Sequence, residues 1–207
     1  MPVAESRPPR HMGPMQHISA VTVFCGSRPG NGPAYRAAAQ ALGAGLAHAG
    51  ITMVFGGGRV GLMGVLADAA LAAGGTVIGV IPEFLMRREV AHAGITDLIV
   101  TDSMHSRKQR MFALADAFIS LPGGLGTFDE TIEIITWHQL GLHAKPILIC
   151  DVAGSARPFQ AMIDAAVAAD FLHGDPREFY QVADGVPAVL HRLARLQPVA
   201  GGEAALM

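Results

Sequence analysis

With Lys+Arg 15 against Asp+Glu 17 in 207 residues, the chain is long enough to bury one sizeable core and has no basic surplus for a sequence-independent grip on nucleic acid. No nucleic-acid partner is expected, and any anion it binds is expected to be small and locally held. The only cysteines, Cys25 and Cys150, each end an apolar run; they read as core thiols in a reducing cytoplasm, not as a redox pair or metal site.

Residues 1–17 carry proline, arginine and histidine without an apolar h-region and read as a disordered leader, not a secretory signal. An apolar run over 18–25 predicts the first strand, and the glycine-rich "CGSRPGNG" leads from it to a helix over 33–49. The uncharged stretch 37–58 changes midway from small-residue helix to strand, so no membrane span is expected. Alternation then continues in order: strand 51–55, helix 62–73, strand 76–81, strand 98–101, helix 104–115, strand 117–121, helix 127–140, strand 146–150, and helices 158–169 and 186–196. Residues 197–207 read as a frayed tail, which leaves one domain over 18–196.

The strand runs are continuously apolar, which predicts burial on both faces. Strand then helix, repeated, predicts an α/β fold: a Rossmann-like, doubly wound parallel sheet with helices on both faces. Ligands bind such sheets at the carboxyl ends of the strands, near the topological switch point. Three exits there are glycine-rich: "CGSRPGNG", "GGGRVGLMG" and "PGGLGT".

Gly56, Gly58 and Gly61 match G-x-G-x-x-G, with Glu83 at the end of the next strand, as a dinucleotide site would require. Against that, the motif follows the second strand, and small residues also serve tight helix-to-strand packing. In "PGGLGTFDE", Thr127-x-x-Glu130 is a possible capping box. The preceding glycines supply more N–H groups than a cap needs, and Glu133 adds a carboxylate one turn further on. Arg107 and Lys108 are adjacent in an early helical turn, about 100° apart around the axis, where the dipole disfavours cations. That placement implies a partner anion. Arg110 reads as a solvated charge and His105 as a capping or surface residue.

Together "GGGRVGLMG", "MHSRK" and "PGGLGTFDETIEIITWHQLGLHAKP" resemble the Lonely Guy family of cytokinin-activating phosphoribohydrolases, over about 21–171. The resemblance implies a Rossmann-like homodimer that hydrolyses the N-glycosidic bond of a nucleoside 5′-monophosphate to free base and ribose 5-phosphate, with no cofactor and no metal. It places the catalytic pair on Arg107 and Glu130. Substrate contacts fall on Glu89, Lys108, Gly124, Leu125, Gly126, Thr127, Phe128, Asp129 and Thr136. Asp129 departs from the family, which usually has a glutamate there.

Backbone N–H groups from Gly123 to Thr127 would cradle the phosphate, with Ser27, Gly57 and Gly58 closing the cradle. Met63, Met111 or Leu125 would line a pocket for a substituent on the base. Two other readings remain open: a nucleotide or cofactor carrier, and a dinucleotide-dependent oxidoreductase. Proteins with these motifs have often been labelled lysine decarboxylases. A Schiff-base role would fall to Lys108 or Lys145, the only lysines; Lys145 precedes a strand on the wrong side of the sheet, and Lys108 is better explained by phosphate or ribose contacts.

Overall fold

The computed structural model describes residues 17–198, apart from 88 and 173. The leader, except for His17, and most of the tail lie outside the described residues. Seven strands form one wholly parallel sheet: β1 (Ala20–Phe24), β2 (Thr52–Phe55), β3 (Val77–Pro82), β4 (Asp97–Thr101), β5 (Ala117–Ser120), β6 (Ile147–Asp151) and β7 (Gln181–Asp184). Their order is β4-β3-β2-β1-β5-β6-β7. The chain winds outward from β1 to β4, then returns to the other side of β1, so the switch point lies between β1 and β5. There the Gly26 N–H donates to the Pro122 carbonyl at 3.1 Å, tying the two exits together.

Helices α1 (Pro33–His48), α2 (Gly61–Ala72) and α6 (Gly185–Leu193) cover one face; α3 (Met104–Ala113), α4 (Leu125–Gln139) and α5 (Arg157–Ala168) cover the other. The continuous apolar strands are what this arrangement demands. In β1, Val21 and Val23 pack into the first core while Phe24 packs into the second, stacked on Phe118 of β5. The stretch 37–58 divides between α1 and β2, and among the described residues no helix is long and apolar enough to cross a membrane.

Strand β7 was not expected from the sequence. It is a four-residue edge strand with only Ala183 fully buried, so it shows neither a continuous apolar run nor a full alternation. Pairing with β6, from Leu148 with Gln181 to Asp151 with Asp184, fixes it. The second difference concerns α4, which starts two residues before 127. Gly124 is its N-cap, with no side-chain cap. Thr127 and Glu130 therefore lie inside the helix, and the capping-box reading is replaced.

Candidate active site

Helix α3 is capped by serines. Ser103 Oγ accepts from the Ser106 N–H at 3.1 Å, and Ser106 Oγ accepts from the Ser103 N–H at 3.2 Å. This box takes the capping role, and His105 is left exposed. One turn in, Arg107 points into the protein and is only 5% exposed. Its Nε donates to the Val80 carbonyl at 3.1 Å and its Nη2 to the Gly56 carbonyl at 3.2 Å. Glu89 Oε2 stands 4.0 Å from Nη2. Burying a guanidinium is costly unless its donors are met; here carbonyls within β3 and just past β2 meet them, and Glu89 is the partner anion that the early-turn cation implied.

Helix α4 presents its amino end beside this group. Its first backbone bond is Phe128 N–H to the Gly124 carbonyl at 3.0 Å, so the amides of Leu125, Gly126 and Thr127 precede the helical ladder. Thr127 is buried with its side chain against Gly123, where a Cβ would stand 2.0 Å from Thr127 Oγ1. Thr131 Oγ1 donates to the Thr127 carbonyl at 2.6 Å and meets Ser120 Oγ at 2.7 Å, fastening the turn to β5.

Glu130 follows on the inner side of the helix, half-buried. Burial pushes its carboxyl up to about 7 against the pull of Arg107; Asp129 and Glu89 push the same way as burial, and Lys108 opposes them. Lys108, the other half of the R-K pair, turns to α4: its Nζ lies 3.2 Å from Asp129 Oδ2 and 3.0 Å from Glu133 Oε1. Burial works against its charge, yet the hydrogen bonds to Glu133 and Asp129 hold its pKa above the usual lysine range.

Two cavities meet at this helix end. The smaller, about 210 Å³, brings together Ser27, Glu89, Arg107 and Glu130 with Gly124, Leu125, Gly126, Thr127 and Asp129. The larger, about 630 Å³, lies across the switch point. It is lined by Ser27, Gly123, Gly124, Thr127 and Phe128 and walled by Tyr35 and Phe159. Lys108 opens on a narrow cleft shared with Glu130 and Glu133.

Gly57, Gly58 and Thr136 line neither cavity. The two glycines are buried beneath the segment carrying Glu89: the Gly57 carbonyl accepts from the His92 N–H at 2.9 Å, and Gly58 bridges Ala91. Of the three residues expected to close the cradle, Ser27 lines both cavities. Thr136 is exposed two turns beyond Glu130, donating to the Ile132 carbonyl at 2.8 Å. Met63 and Leu125 line the smaller cavity, whereas Met111 is 1% exposed in the core.

The G-x-G-x-x-G glycines also find a packing explanation. A Cβ at Gly56 would stand 2.2 Å from Arg107 Nη2, one at Gly58 2.9 Å from Met63 Cε, and one at Gly61 2.3 Å from the Ser27 carbonyl carbon. Each glycine is therefore required by a protein neighbour, and Glu83 is exposed in the 3-10 turn after β3. Gly56 itself was missed as a site residue. Its signal was the triple glycine at a strand exit, read for its backbone freedom and not for the carbonyl it offers.

What the fold and the site define is a Rossmann-like α/β protein with a guanidinium and a half-buried carboxylate beside a bare helix amino end. A family model described as possible lysine decarboxylase matches residues 63–193. The cytokinin riboside 5′-monophosphate phosphoribohydrolase of Rhodococcoides fascians is 49% identical, over 74% of this chain and 78% of that protein. The cytokinin riboside 5′-monophosphate phosphoribohydrolase LOG2 of Arabidopsis thaliana is 42% identical, over 86% of this chain and 84% of that one. The chain belongs to the cytokinin riboside 5′-monophosphate phosphoribohydrolase family. The molybdenum cofactor carrier protein of Chlamydomonas reinhardtii shares the fold, with a TM-score of 0.63 at 20% identity, over 86% of this chain and 96% of that one.

The lysines agree with this family better than with the family model's description. Lys145 Nζ donates to the Phe112 carbonyl at 2.8 Å and sits 4.1 Å above the Phe112 ring, at the amino end of β6. Lys108 is held in its two ion pairs.

Proposed function

We infer that the chain hydrolyses the N-glycosidic bond of a nucleoside 5′-monophosphate, an N6-prenylated adenine nucleotide or AMP, releasing free base and ribose 5-phosphate. The observation that carries this reading is the meeting of Arg107 and Glu130 in one cavity beside the amino end of α4. The phosphate docks on the amides of Gly123 to Thr127, where the helix dipole favours an anion. Positive charge then grows on the ribose ring as the glycosidic bond breaks. Glu130 in its ionised form stabilises that charge and positions or deprotonates the attacking water. Arg107 keeps its proton at neutral pH; it orients the nucleotide and steadies the carboxylate, and the base takes its proton from water or another acid.

A homodimer built on the outward face of α4 completes the proposal. Leu125 and Leu140 are 86% and 67% exposed there, with Phe128 on the same side. Thr136 shares that face, so its place among the substrate contacts is best met across the interface, at a partner's site. Two free, buried cysteines suit a reducing cytoplasm.

Incubation with AMP and with N6-isopentenyladenosine monophosphate tests the reading: free base and ribose 5-phosphate are expected in equal amounts. Nucleotide binding without release would return the carrier reading. An absorbance change seen only with a nicotinamide cofactor would return the oxidoreductase.

A further inference from the structure

Asp129 and Glu133, one on each side of Glu130 in the sequence of α4, converge on one cation, Lys108. Glu133 is the better-held partner: its contact is 3.0 Å and its side chain 24% exposed, against 3.2 Å and 58% for Asp129. Exposed pairs are screened and worth little, so the Glu133 pair is the stronger half of the bridge. Lys108 adjoins Arg107 on α3. The bridge therefore joins the two helices at the level where each carries its inward group, and α3 and α4 share little close backbone contact.

We propose that Glu133 is a positioning residue: it holds Lys108 against α4, and through that bridge sets how far the cations of α3 stand from the Glu130 carboxyl. The proposal rests on the reading that Glu130 carries the hydrolysis. Glu130 is faced by Arg107 and Lys108 from α3, Glu89 from the segment after β3, Asp129 from its own helix and the Cys25 thiol from the end of β1. Neutralising Glu133, which shares a cleft with Glu130 and Lys108, takes a further anion from beside the carboxyl and lets Lys108 move toward those that remain. Both changes make the surroundings of Glu130 more positive, so its carboxyl ionises at lower pH.

The test uses the full chain and the variants Glu133→Gln, Glu133→Asp and Lys108→Met. Carbon-13 NMR of glutamate-labelled protein follows the Glu130 carboxyl, assigned by its loss in Glu130→Gln. In Glu133→Gln the titration midpoint is expected to fall by about half a pH unit or more, and Glu133→Asp is expected to restore much of it. An unchanged midpoint overturns the proposal. If the glutamine variant fails to fold, Lys108→Met reads the bridge from its other end: the midpoint rises, and a fixed one overturns the proposal.

Turnover of AMP supplies the second readout. At a pH well above 7, where Glu130 is ionised in both proteins, Glu133→Gln is expected to lower kcat about tenfold with KM changed less than about threefold, and its loss should not multiply with that of Lys108→Met. Losses that multiply overturn the coupling. If the wild-type chain releases no base from any nucleoside monophosphate, the reading of the reaction fails by itself, and the carboxyl titration still decides the role of Glu133.

Discussion

The Arg107 guanidinium lies where a side chain at position 56 would go: its Nη2 donates to the Gly56 carbonyl at 3.2 Å and would stand 2.2 Å from a Cβ built there. Gly56→Ala therefore strikes the end of a flexible side chain and not the backbone. The expected result is a fold that melts within a few degrees of wild type but turns over nucleotide at least about tenfold more slowly, because a catalytic group has been displaced. Gly61→Ala makes the contrast. Its Cβ meets the Ser27 backbone at a φ of +60°, so thermal melting is expected to show the larger stability loss there.

Glu130→Gln separates catalysis from stability. Removing one preorganised electrostatic group commonly slows turnover by about a hundred- to a thousandfold, and that loss is expected in kcat with nucleotide binding retained. Stability should move the other way. Glu130 titrates at about 7 against an ordinary 4.5, so between these values the folded chain holds a proton that the unfolded chain has released. Wild-type stability is then undiminished below about pH 4.5, falls as pH rises through 7 and levels off above. Denaturant melts at pH 8 are expected to show Glu130→Gln more stable by about 2 kcal/mol, with the advantage gone near pH 4.

The same titration sets the activity profile. If ionised Glu130 is the working form, kcat rises with pH through about 7. Arg107 is the strongest influence drawing that carboxyl down, so in Arg107→Ala whatever activity survives is expected to rise at higher pH than in wild type. Stopped assays from pH 5 to 9 would show it; a limb that stays in place removes Arg107 from the electrostatics of Glu130. The alanine variant should also lose about 3 kcal/mol of stability, since the Val80 and Gly56 carbonyls lose their buried partner.

Lys145 tests the decarboxylase description directly. Lys145→Met removes the donor to the Phe112 carbonyl and the cation above that ring, so stability should drop by about 1 kcal/mol while base release from AMP keeps its wild-type rate. Carbon dioxide released from lysine by the wild type and lost in this variant would reverse the assignment.

Burial makes the two thiols quiet. It pushes Cys25 well above the ordinary thiol range and Cys150 up to about 12, so neither offers appreciable thiolate at pH 8. Titration with a chromogenic disulfide is expected to find no fast-reacting thiol in the native chain and two after unfolding.

Where the sequence was legible, the reason was period and punctuation. The doubly buried strands β1 to β3, β5 and β6 each leave a largely apolar run, and glycine clusters follow β1, β2 and β5, the first and last of which flank the switch point. Strand β7 escapes because four residues at a sheet edge need pairing to become a strand, and Gln181 and Asp184 hide the pattern. In the site, Arg107, Lys108, Glu130 and Glu133 stand out as charges in places where a helix disfavours or does not need them. The surroundings of Gly57 and Gly58 were not legible: freedom of the backbone is visible in sequence, while the segment that packs on them, with the His92 N–H on the Gly57 carbonyl and Ala91 bridging Gly58, lies beyond the next strand. The start of α4 misled by two residues, because a glycine N-cap leaves no side-chain signature, whereas Thr127 and Glu130 imitate one.

The anchorage of Arg107 bears on how much disorder must be removed at each encounter with substrate. A free arginine side chain loses up to about 2 kcal/mol of rotamer entropy when it is fixed. Here the carbonyls of Val80, within β3, and of Gly56, just past β2, have already stilled it. Folding carries that loss once, in the sheet, and no turnover has to repeat it. Lys108, by contrast, is held by the Asp129 and Glu133 carboxylates of one helix. The R-K pair thus joins a group anchored on backbone carbonyls to one anchored on side-chain carboxylates, two neighbours in sequence held by different kinds of partner.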